Sequence, residues 1–559
     1  MQLLQHFKEL TVRPKNAEEL KGLILQLAIQ GKLTTNWRKE NPTIKLNNEK
    51  LTGISEKALS FLNKESESIN QLDVPSTWLK LKFRTLFEMQ GGSQPPKSKF
   101  SSTERDGYIR LYQIRDFGKS PVPVYVPEDS VSKRCTEDDV MIGRYGASIG
   151  KIFYGKNGAY NVALVRLIWS RELLEQNFVY QIFSSYYMQE FFQNCTRSAQ
   201  AGFNKTDMGK LNIPLPPLEE QKEIVKVVET LFKEVAQLEQ LTVERIGLKE
   251  DFVTSALNQL TTNKANQEWT FLQDHFKPFF NEATNIKKLR ETVLQLAVQG
   301  KLTSEWRANH PDTEDASVLL KRIQKEKAQL IKDKKIKKEK ALPKITKDEI
   351  PYELPEGWVW CRVGEILNVK SSKRVFKSDY VKEGVPFFRS KEIGQLGRGQ
   401  EVTTELFIER EKFEKFKNDF GVTKAGDILI ACIGGSIGNT WLVDDREFYY
   451  KDGNLVQLDS IPEIDSFYLL KYLDSNVFYD SALGRVSGSA YNALTIEKIK
   501  KSLFPLPNEL EQKAIVEKVN TLMGLCDSLE QEVEQSQEHR EMLMQSCLRE
   551  VFEGEHKTV

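Results

Sequence analysis

Apolar residues recur at helical spacing in three stretches of the chain. The first lies in 15–38, where Leu20, Leu23 and Leu27 are spaced as on one face of an amphipathic helix and Gly31 is placed to end it. The other two follow the proline-containing turns LPPLEEQ at 215–221 and LPNELEQ at 506–512, which are typical of helix starts. The pattern therefore predicts one short and two long helices.

In the two long helices, apolar positions alternate four and three residues apart. They are Ile224, Val228, Leu231, Val235 and Leu238 in the first, and Ile515, Val519, Leu522, Cys526, Leu529 and Val533 in the second. This is the heptad seam of a coiled coil. Each helix would run for about 40 residues, or roughly 60 Å.

Two segments, 73–217 and 353–507, have a different pattern. Short β-like runs (VMIG, KIFYG and VALVRLIW in the first, ILIACI and LVQLD in the second) alternate with turn residues, and helix-like stretches follow them. Each segment is therefore predicted to be an α+β globular domain.

The chain repeats itself. LQLAIQGKLTTNWR at 25–38 returns as LQLAVQGKLTSEWR at 294–307, an offset of 269. Further matches, in the same order, join DVPSTW to ELPEGW, DDVMIGRYGASIGK to GDILIACIGGSIGN and IPLPPLEEQ to FPLPNELEQ, where the offset has grown to 291. We expect two copies of one unit, roughly 3–260 and 272–551, related by a pseudo-two-fold axis.

That symmetry predicts that the two long helices pack together as an antiparallel coiled coil. The alternative is that each helix packs only on its own domain. Inside the second copy, 321–347 carries twelve Lys/Arg against three acids, and the first copy has no equivalent. This run is either a solvated linker or an arm that follows phosphates.

Catalytic motifs are lacking. The five histidines are dispersed, no CxxC occurs among the six cysteines, and GRYGASIGK at 143–151 fails the phosphate-loop pattern. A GxSxG pattern occurs at 146–150 and 434–438, but no histidine follows it within either domain, so a tight turn between strands is favoured over a hydrolase. We find no leader peptide or membrane span, and we expect a cytoplasmic protein with free thiols and no metal.

Four motifs occur in duplicate and in the same order: QGKLT…WR, VPSTW or LPEGW, GxSIG, and PLPP or PLPN followed by EQ. With them, the chain resembles the specificity subunit of type I restriction–modification systems over nearly its whole length. The resemblance implies an α+β fold in which two target recognition domains are joined by two long antiparallel coiled-coil helices. The implied regions are an N-terminal helical region (1–72), the first domain (73–217), a central helical region with the basic linker (218–352), the second domain (353–507) and a C-terminal helix (508–559). We call the two target recognition domains the first and second readers.

The resemblance also implies partners. Each reader would recognise half of a split duplex DNA site, while two modification subunits, and possibly two restriction subunits, bind the helical regions. S-adenosylmethionine, ATP and magnesium would belong to those partners, and this chain would hold no cofactor and be non-catalytic. Trp37 and Trp306, in the repeated QGKLT motif region, are predicted to contact the modification subunits.

Polar residues beside the β-runs are the candidate DNA contacts, because base edges are read by hydrogen-bonding side chains. In the first reader we predict Arg110, Gln113, Arg115, Arg144, Tyr145, Ser148, Asn204 and Lys205. In the second we predict Lys373, Arg374, Arg389, Lys391, Ser436, Ser489 and Asn492. Asn204 and Asn492 are interpreted more readily as helix caps, given TDMGKL and LTIEKI after them.

Two other functions stay open on sequence alone. One is a coiled-coil scaffold that carries two protein-binding domains. The other is a hydrolase or nuclease with twin sites, against which the missing histidine and metal cluster argue.

Overall fold

The computed structural model describes residues 16–44, 46, 72–196, 202–262, 274–338, 340–483 and 493–553. The chain folds as two compact units, Met1–Gly247 with Gln537–Val559, and Leu248–Ser536. Each unit holds one reader and one repeated helical region. None of the described helices is long and apolar enough to cross a membrane.

The first unit begins with the predicted amphipathic helix and ends in a long helix. Its helices are α1 (Asn16–Ile29), α2 (Thr35–Glu40), α3 (Phe83–Leu86), α4 (Gln176–Ser184), α5 (Tyr186–Thr196), α6 (Lys205–Met208) and the start of α7 (Leu218–Thr261). Its strands are β1 (Leu79–Lys82), β2 (Glu88–Gly91), β3 (Tyr108–Tyr112), β4 (Tyr125–Pro127), β5 (Arg134–Cys135), β6 (Val140–Gly143), β7 (Ile152–Tyr154), β8 (Gly158–Tyr160), β9 (Leu164–Ile168) and β10 (Asn212–Leu215).

The second unit repeats this order after the end of α7. Its helices are α8 (Phe276–Phe279), α9 (Ala283–Val298), α10 (Ser304–Asn309), α11 (Ala316–Lys332), α12 (Val363–Ile366), α13 (Ser390–Leu396), α14 (Arg410–Phe420), α15 (Ser466–Leu473), α16 (Asn476–Leu483), α17 (Ile496–Lys501) and α18 (Glu509–Glu553). Its strands are β11 (Val359–Arg362), β12 (Val369–Lys370), β13 (Tyr380–Val381), β14 (Val385–Phe388), β15 (Phe407–Ile408), β16 (Ile428–Ala431), β17 (Thr440–Leu442), β18 (Tyr449–Tyr450), β19 (Leu455–Leu458) and β20 (Leu503–Leu506).

Each reader contains two four-stranded sheets. One is antiparallel and has the same order in both, β2-β9-β6-β7 in the first reader and β12-β19-β16-β17 in the second. The other has one parallel pair, which is central in the first reader (β4-β3-β8-β5) and at one edge in the second (β13-β15-β14-β18). The predicted α+β class and internal repeat are thus confirmed.

Each reader is closed by a ribbon of its first and last strands. β1 pairs antiparallel with β10, Leu79 opposite Leu215, and β11 pairs with β20, Val359 opposite Leu506. The chain therefore enters and leaves each reader through two neighbouring strands, which connect the reader to the helices before and after it.

The residues of the predicted heptad seams are buried or half-buried. Those at the start of each long helix pack on its own domain, and later ones pack on the other long helix. Ile224 and Val228 of α7 belong to the core of the first unit, and Ile515 and Val519 of α18 to that of the second. Fully burying such a side chain contributes about 1.5–3 kcal/mol. The start of each long helix is therefore fixed to its own domain, although the helices do not pack only there, as the alternative prediction required.

Farther along, the long helices meet each other. In the second unit, Val253 and Leu257 of α7 form one apolar cluster with Cys526 and Val533 of α18, joined by Ile286 and Leu289 of α9. In the first unit, Leu543 of α18 packs on the cluster that contains Val235 of α7. Later residues of α18 thus lie with earlier residues of α7, as the antiparallel prediction requires.

Candidate nucleic-acid interface and its frame

A buried carboxylate ties the helical region of the first unit to its reader. Glu220, in the first turn of α7, is 1% exposed. It accepts hydrogen bonds from Trp78 Nε1 at 2.8 Å, Thr34 Oγ1 at 2.7 Å and Arg38 Nη1 at 2.5 Å. Arg38 Nη2 also donates to the carbonyl of Gly31 at 2.6 Å. We call these five residues the first clamp.

The second clamp has the same bonds. Glu511 accepts from Trp358 Nε1 at 2.8 Å, Thr303 Oγ1 at 2.7 Å and Arg307 Nη1 at 2.5 Å, and Arg307 Nη2 donates to the carbonyl of Gly300 at 2.7 Å. The repeated QGKLT and WR letters thus supply the glycine, threonine and arginine of a clamp. A buried carboxylate is stabilised when it is paired and fully hydrogen-bonded in this way.

Only glycine fits where α1 and α9 end. Gly31 and Gly300 have φ of +68° and +67°, a left-handed conformation that confirms the predicted helix stop. A Cβ on Gly31 would lie 2.6 Å from Pro75 Cγ, and one on Gly300 would lie 2.7 Å from Pro355 Cγ. The loop that leads into each reader therefore packs directly on the helix end.

The residue after each clamp carboxylate holds the other side of the reader. Gln221 donates to the carbonyls of Leu173 and Pro216 and accepts from the backbone N–H of Glu175 at 2.8 Å. Gln512 likewise accepts from the backbone N–H of Asp465 at 2.7 Å. The dipeptide Glu-Gln, found in both copies, thus fixes the start of each long helix to two parts of its domain.

The GxSIG segments form the predicted turns between strands. They lie between β6 and β7 and between β16 and β17, each with a single 3-10 turn, Gly146–Ser148 and Gly434–Ser436. At the tip of each turn is one exposed apolar side chain, Tyr145 at 45% and Ile433 at 39% exposure. The backbone of this loop is repeated, but its most exposed large side chain is not.

A second loop is repeated in the same manner. After β3, Asp116 accepts the backbone N–H of Gln113 at 2.8 Å, and after β14, Glu392 accepts that of Arg389 at 2.8 Å. Both acids are 2% exposed. Burial alone would raise the pKa of Glu392, but hydrogen bonds from Arg389 outweigh it and lower that pKa.

These capped turns present exposed cations at equivalent places. Arg115 stands directly before Asp116, and Lys391 directly before Glu392. Both are exposed, and neither makes an ion pair within the part of the chain that the structure describes. Each reader therefore offers one apolar tip from its GxSIG turn and one cation from a capped turn, which continues as a 3-10 turn (Ile114–Phe117) in the first reader and as α13 in the second.

Some of the other residues of the first reader that we predicted to contact DNA interact with side chains of the protein itself. Arg110 pairs with Asp116 at 2.8 Å, and the guanidinium of Arg144 lies over the Tyr145 ring at 5.1 Å. Ser148 is half-buried and Lys205 exposed. Asn204 caps α6, accepting from the backbone N–H groups of Thr206 and Asp207, which confirms the cap interpretation. DNA contacts by these residues stay predictions.

In the second reader, Lys373 and Arg374 are exposed and Ser436 is half-buried. Arg374 lies 3.6 Å from Asp452, and Arg389 is bound to Glu392 at 2.8 Å. The cap of α17 is Thr495, which accepts from the backbone N–H of Lys498. The cap interpretation of Asn492 is therefore wrong, because Thr495 corresponds to Asn204 at the later offset of 291. Ser489 and Asn492 themselves lie outside the described residues.

The predicted partner contacts stand apart from the clamps. Trp37 and Trp306 are half-buried, and neither takes part in the hydrogen bonds to Glu220 or Glu511. Trp306 stacks on His310 with ring centroids 4.3 Å apart. Each tryptophan thus has ring surface left for a partner, and its role stays a prediction.

Sequence reasoning missed the clamp acids and one loop tip. Glu220 and Glu511 were visible as part of the repeated EQ letters, but only their burial reveals their partners. Ile433 could have been found from the register of the repeat, since it aligns with Tyr145 at an offset of 288.

Comparison with known proteins gives the family. The sequence pattern of the type I restriction modification DNA specificity domain matches twice, over residues 75–245 and 355–538. This chain belongs to that family. The two matches contain the two readers and the first part of each long helix, so the duplication seen in the fold is also a duplication of the family's domain.

The chain is similar to curated specificity subunits and to a solved HsdS structure. The EcoAI specificity subunit of Escherichia coli is 32% identical over 331 residues, which cover 57% of this chain and 54% of that protein. The EcoEI specificity subunit of the same organism is 27% identical over 558 residues, covering 93% of this chain and 91% of that protein. The HsdS subunit of Thermoanaerobacter tengcongensis superposes with a TM-score of 0.42 at 18% identity, over 86% of this chain and 98% of that one.

The predicted function is thereby confirmed at the level of the family. The chain is a specificity subunit of a type I restriction–modification system, and it is not the catalytic subunit. Its partners are DNA and the other subunits of such a system. Within the described residues, no group of three or more His, Cys, Asp or Glu side chains could hold a metal ion.

Proposed function

We propose that the two readers recognise the two different halves of one split duplex DNA site. Each reader contacts base edges through its two repeated loops, with Arg115 and Tyr145 in the first half-site and Lys391 and Ile433 in the second. The observation that carries this proposal is the contrast between identical clamps and non-identical loop side chains. Base contacts specify a sequence, so two different half-sites need different side chains on a common backbone.

The loop chemistry suits different bases. An arginine can donate two hydrogen bonds to guanine, whereas a lysine offers a single point charge, and an apolar tip suits the thymine methyl group. A tyrosine ring can stack on a base that has left the duplex stack. The two half-sites should accordingly differ at the positions that these four residues contact.

We further propose that two copies of the modification subunit bind the repeated helical regions. Near-identical partners need near-identical surfaces, and the regions around Trp37 and Trp306 are the most closely repeated parts of the chain. Those subunits would carry S-adenosylmethionine, and restriction subunits, where present, would carry ATP and magnesium. The free thiols of the described cysteines fit a reducing cytoplasm, where we propose the complex works.

Methylated adenines in the host genome test the proposal. We expect one split motif in wild type, relaxation of the first half alone in R115A and of the second half alone in K391A. The loss of a bidentate Arg115 contact should reduce discrimination at one base pair by about 1–3 kcal/mol, and the loss of the Lys391 contact should reduce it by less. Methylation without sequence preference in wild type, or relaxation of both halves by either variant, would contradict it.

A further inference from the structure

The basic run that precedes the second reader forms a distinct surface. Residues 332–347, which we call the basic arm, carry eight lysines against two acids. The net charge of this arm is +6. Since the whole chain has a formal net charge of +1, the rest of the chain has a net charge of −5. Its lysines are Lys332, Lys334, Lys335, Lys337, Lys338, Lys340, Lys344 and Lys347.

All eight lysines point their charge into solvent. Every one is exposed, and none lies within 4.0 Å of a carboxylate in the part of the chain that the structure describes. Asp333, the described acid of the arm, accepts instead from Gln329 at 2.8 Å. An ordinary charged surface mixes both signs, so this concentration of one sign is available to an external anion.

One lysine is held in a backbone conformation that lysine rarely adopts. Lys334, two residues after the end of α11, has a φ of +58°, the only positive φ outside glycine in the described residues. The turn is closed by bonds from the N–H of Lys334 to the carbonyl of Ile331 and from that of Lys335 to the carbonyl of Leu330. Glycine is the usual residue here, because a Cβ disfavours this conformation. Lys334 therefore places a positive charge at a turn where glycine would be less strained.

Both ends of the basic arm are fixed to the second unit. At the first end, Leu319 and Ile323 of α11 are buried, and Lys327 donates to the carbonyl of Leu367 at 2.7 Å. At the other end, Arg362 of β11, which is 2% exposed, donates to the carbonyl of Pro343 at 2.7 Å and pairs with Glu349 at 3.0 Å. The arm is therefore displayed from the base of the second reader and is not a free tether.

We propose that the basic arm binds the phosphate backbone of duplex DNA, without regard to sequence, beside the half-site of the second reader. This rests on the proposed reading of duplex DNA. Lysine is a point charge suited to phosphates, and a row of lysines neutralises phosphates along a backbone. The first copy has no equivalent run, so this additional phosphate binding would act only beside the half-site of the second reader.

Salt dependence of binding tests this proposal. We would assemble the full chain with its modification subunits and measure anisotropy of two duplexes, one with the methylated motif and one without, at several salt concentrations. The variant replaces Lys334, Lys335, Lys337 and Lys338 by glutamine. The matched control replaces Lys222, Lys233, Lys513 and Lys518, four exposed lysines of the long helices.

We expect the arm variant to lower the slope of log affinity against log salt by about 2–4, since each neutralised phosphate contributes about 0.9. Both duplexes should lose affinity by a similar factor, and the methylated motif should not change. The control should keep the wild-type slope.

An unchanged slope in the arm variant would overturn the proposal. So would weaker assembly with the modification subunits in the absence of DNA, which would identify the arm as a protein-binding surface. Equal binding of both duplexes by the wild-type complex would contradict the proposed function instead, and a slope lowered only by the arm variant would then still support the arm.

Discussion

The clamps and the reader loops are both duplicated, but they are duplicated differently. In the clamps, the side chains are the same in both copies, and the hydrogen bonds to Glu220 and Glu511 have the same lengths. In the loops, both copies have the capped turn and the 3-10 turn of the GxSIG segment, but the side chains differ. Tyr145 in the first copy corresponds to Ile433 in the second, and Arg115 corresponds to Lys391. A side chain is preserved where it holds the frame, and it varies where it meets something outside the chain.

Removing a clamp acid should have the largest effect. In E220A or E511A, the arginine, threonine and tryptophan donors lose their acceptor in a buried site, and breaking such a pair costs about 3–5 kcal/mol. Chemical denaturation should show a similar loss for both variants. A loss confined to one of them would break the equivalence of the clamps.

The conservative variants E220Q and E511Q are the controls. Glutamine keeps one acceptor for Trp78 or Trp358 but removes the charge that faces the arginine. We therefore expect them to lie between wild type and the alanine variants.

The two tryptophans outside the clamps should affect assembly next most strongly. W37A and W306A should each weaken binding of a modification subunit by about 2–4 kcal/mol, the range of an interface hot spot. Analytical ultracentrifugation of the mixed subunits would measure this. The methylated motif should stay unchanged, and a changed motif would place these residues at the DNA.

The loop tips should affect only sequence preference. Y145A should reduce discrimination in the first half-site, and I433A in the second, by about 1–3 kcal/mol at one base pair. Unfolding should be unchanged, because both side chains are exposed. Tyr154, an exposed tyrosine stacked on Tyr180 at 4.3 Å, provides the matched control Y154A, which should keep the motif.

Acid should have the smallest effect. The pKa of Glu392 is lowered in the folded protein, so its contribution to stability is present at neutral pH and is lost as pH falls through that lowered pKa. The stability advantage of wild type over E392Q should accordingly shrink between pH 7 and pH values below about 4. An advantage that stayed constant over this range would show that Glu392 acts only through its shape.

The periodic parts of this fold could be predicted from sequence. Apolar spacing located both long helices, the repeat located both readers, and Gly31 marked a helix end. The partners of each long helix could not be predicted, because Ile224 and Cys526 occupy the same kind of heptad position yet pack in different clusters. The ion pair between Arg110 and Asp116 could not be predicted either, because it depends on a turn that no short motif specifies.

The central claim is that the frame is common and the readers alone determine the DNA sequence. Because β1 pairs with β10 and β11 with β20, residues 79–215 can replace 359–506 with both ends meeting the same kind of ribbon. Mapping methylated adenines for this chimera is the most direct test. We predict a motif built from two copies of the first half-site. A motif that keeps the original second half-site would contradict the account.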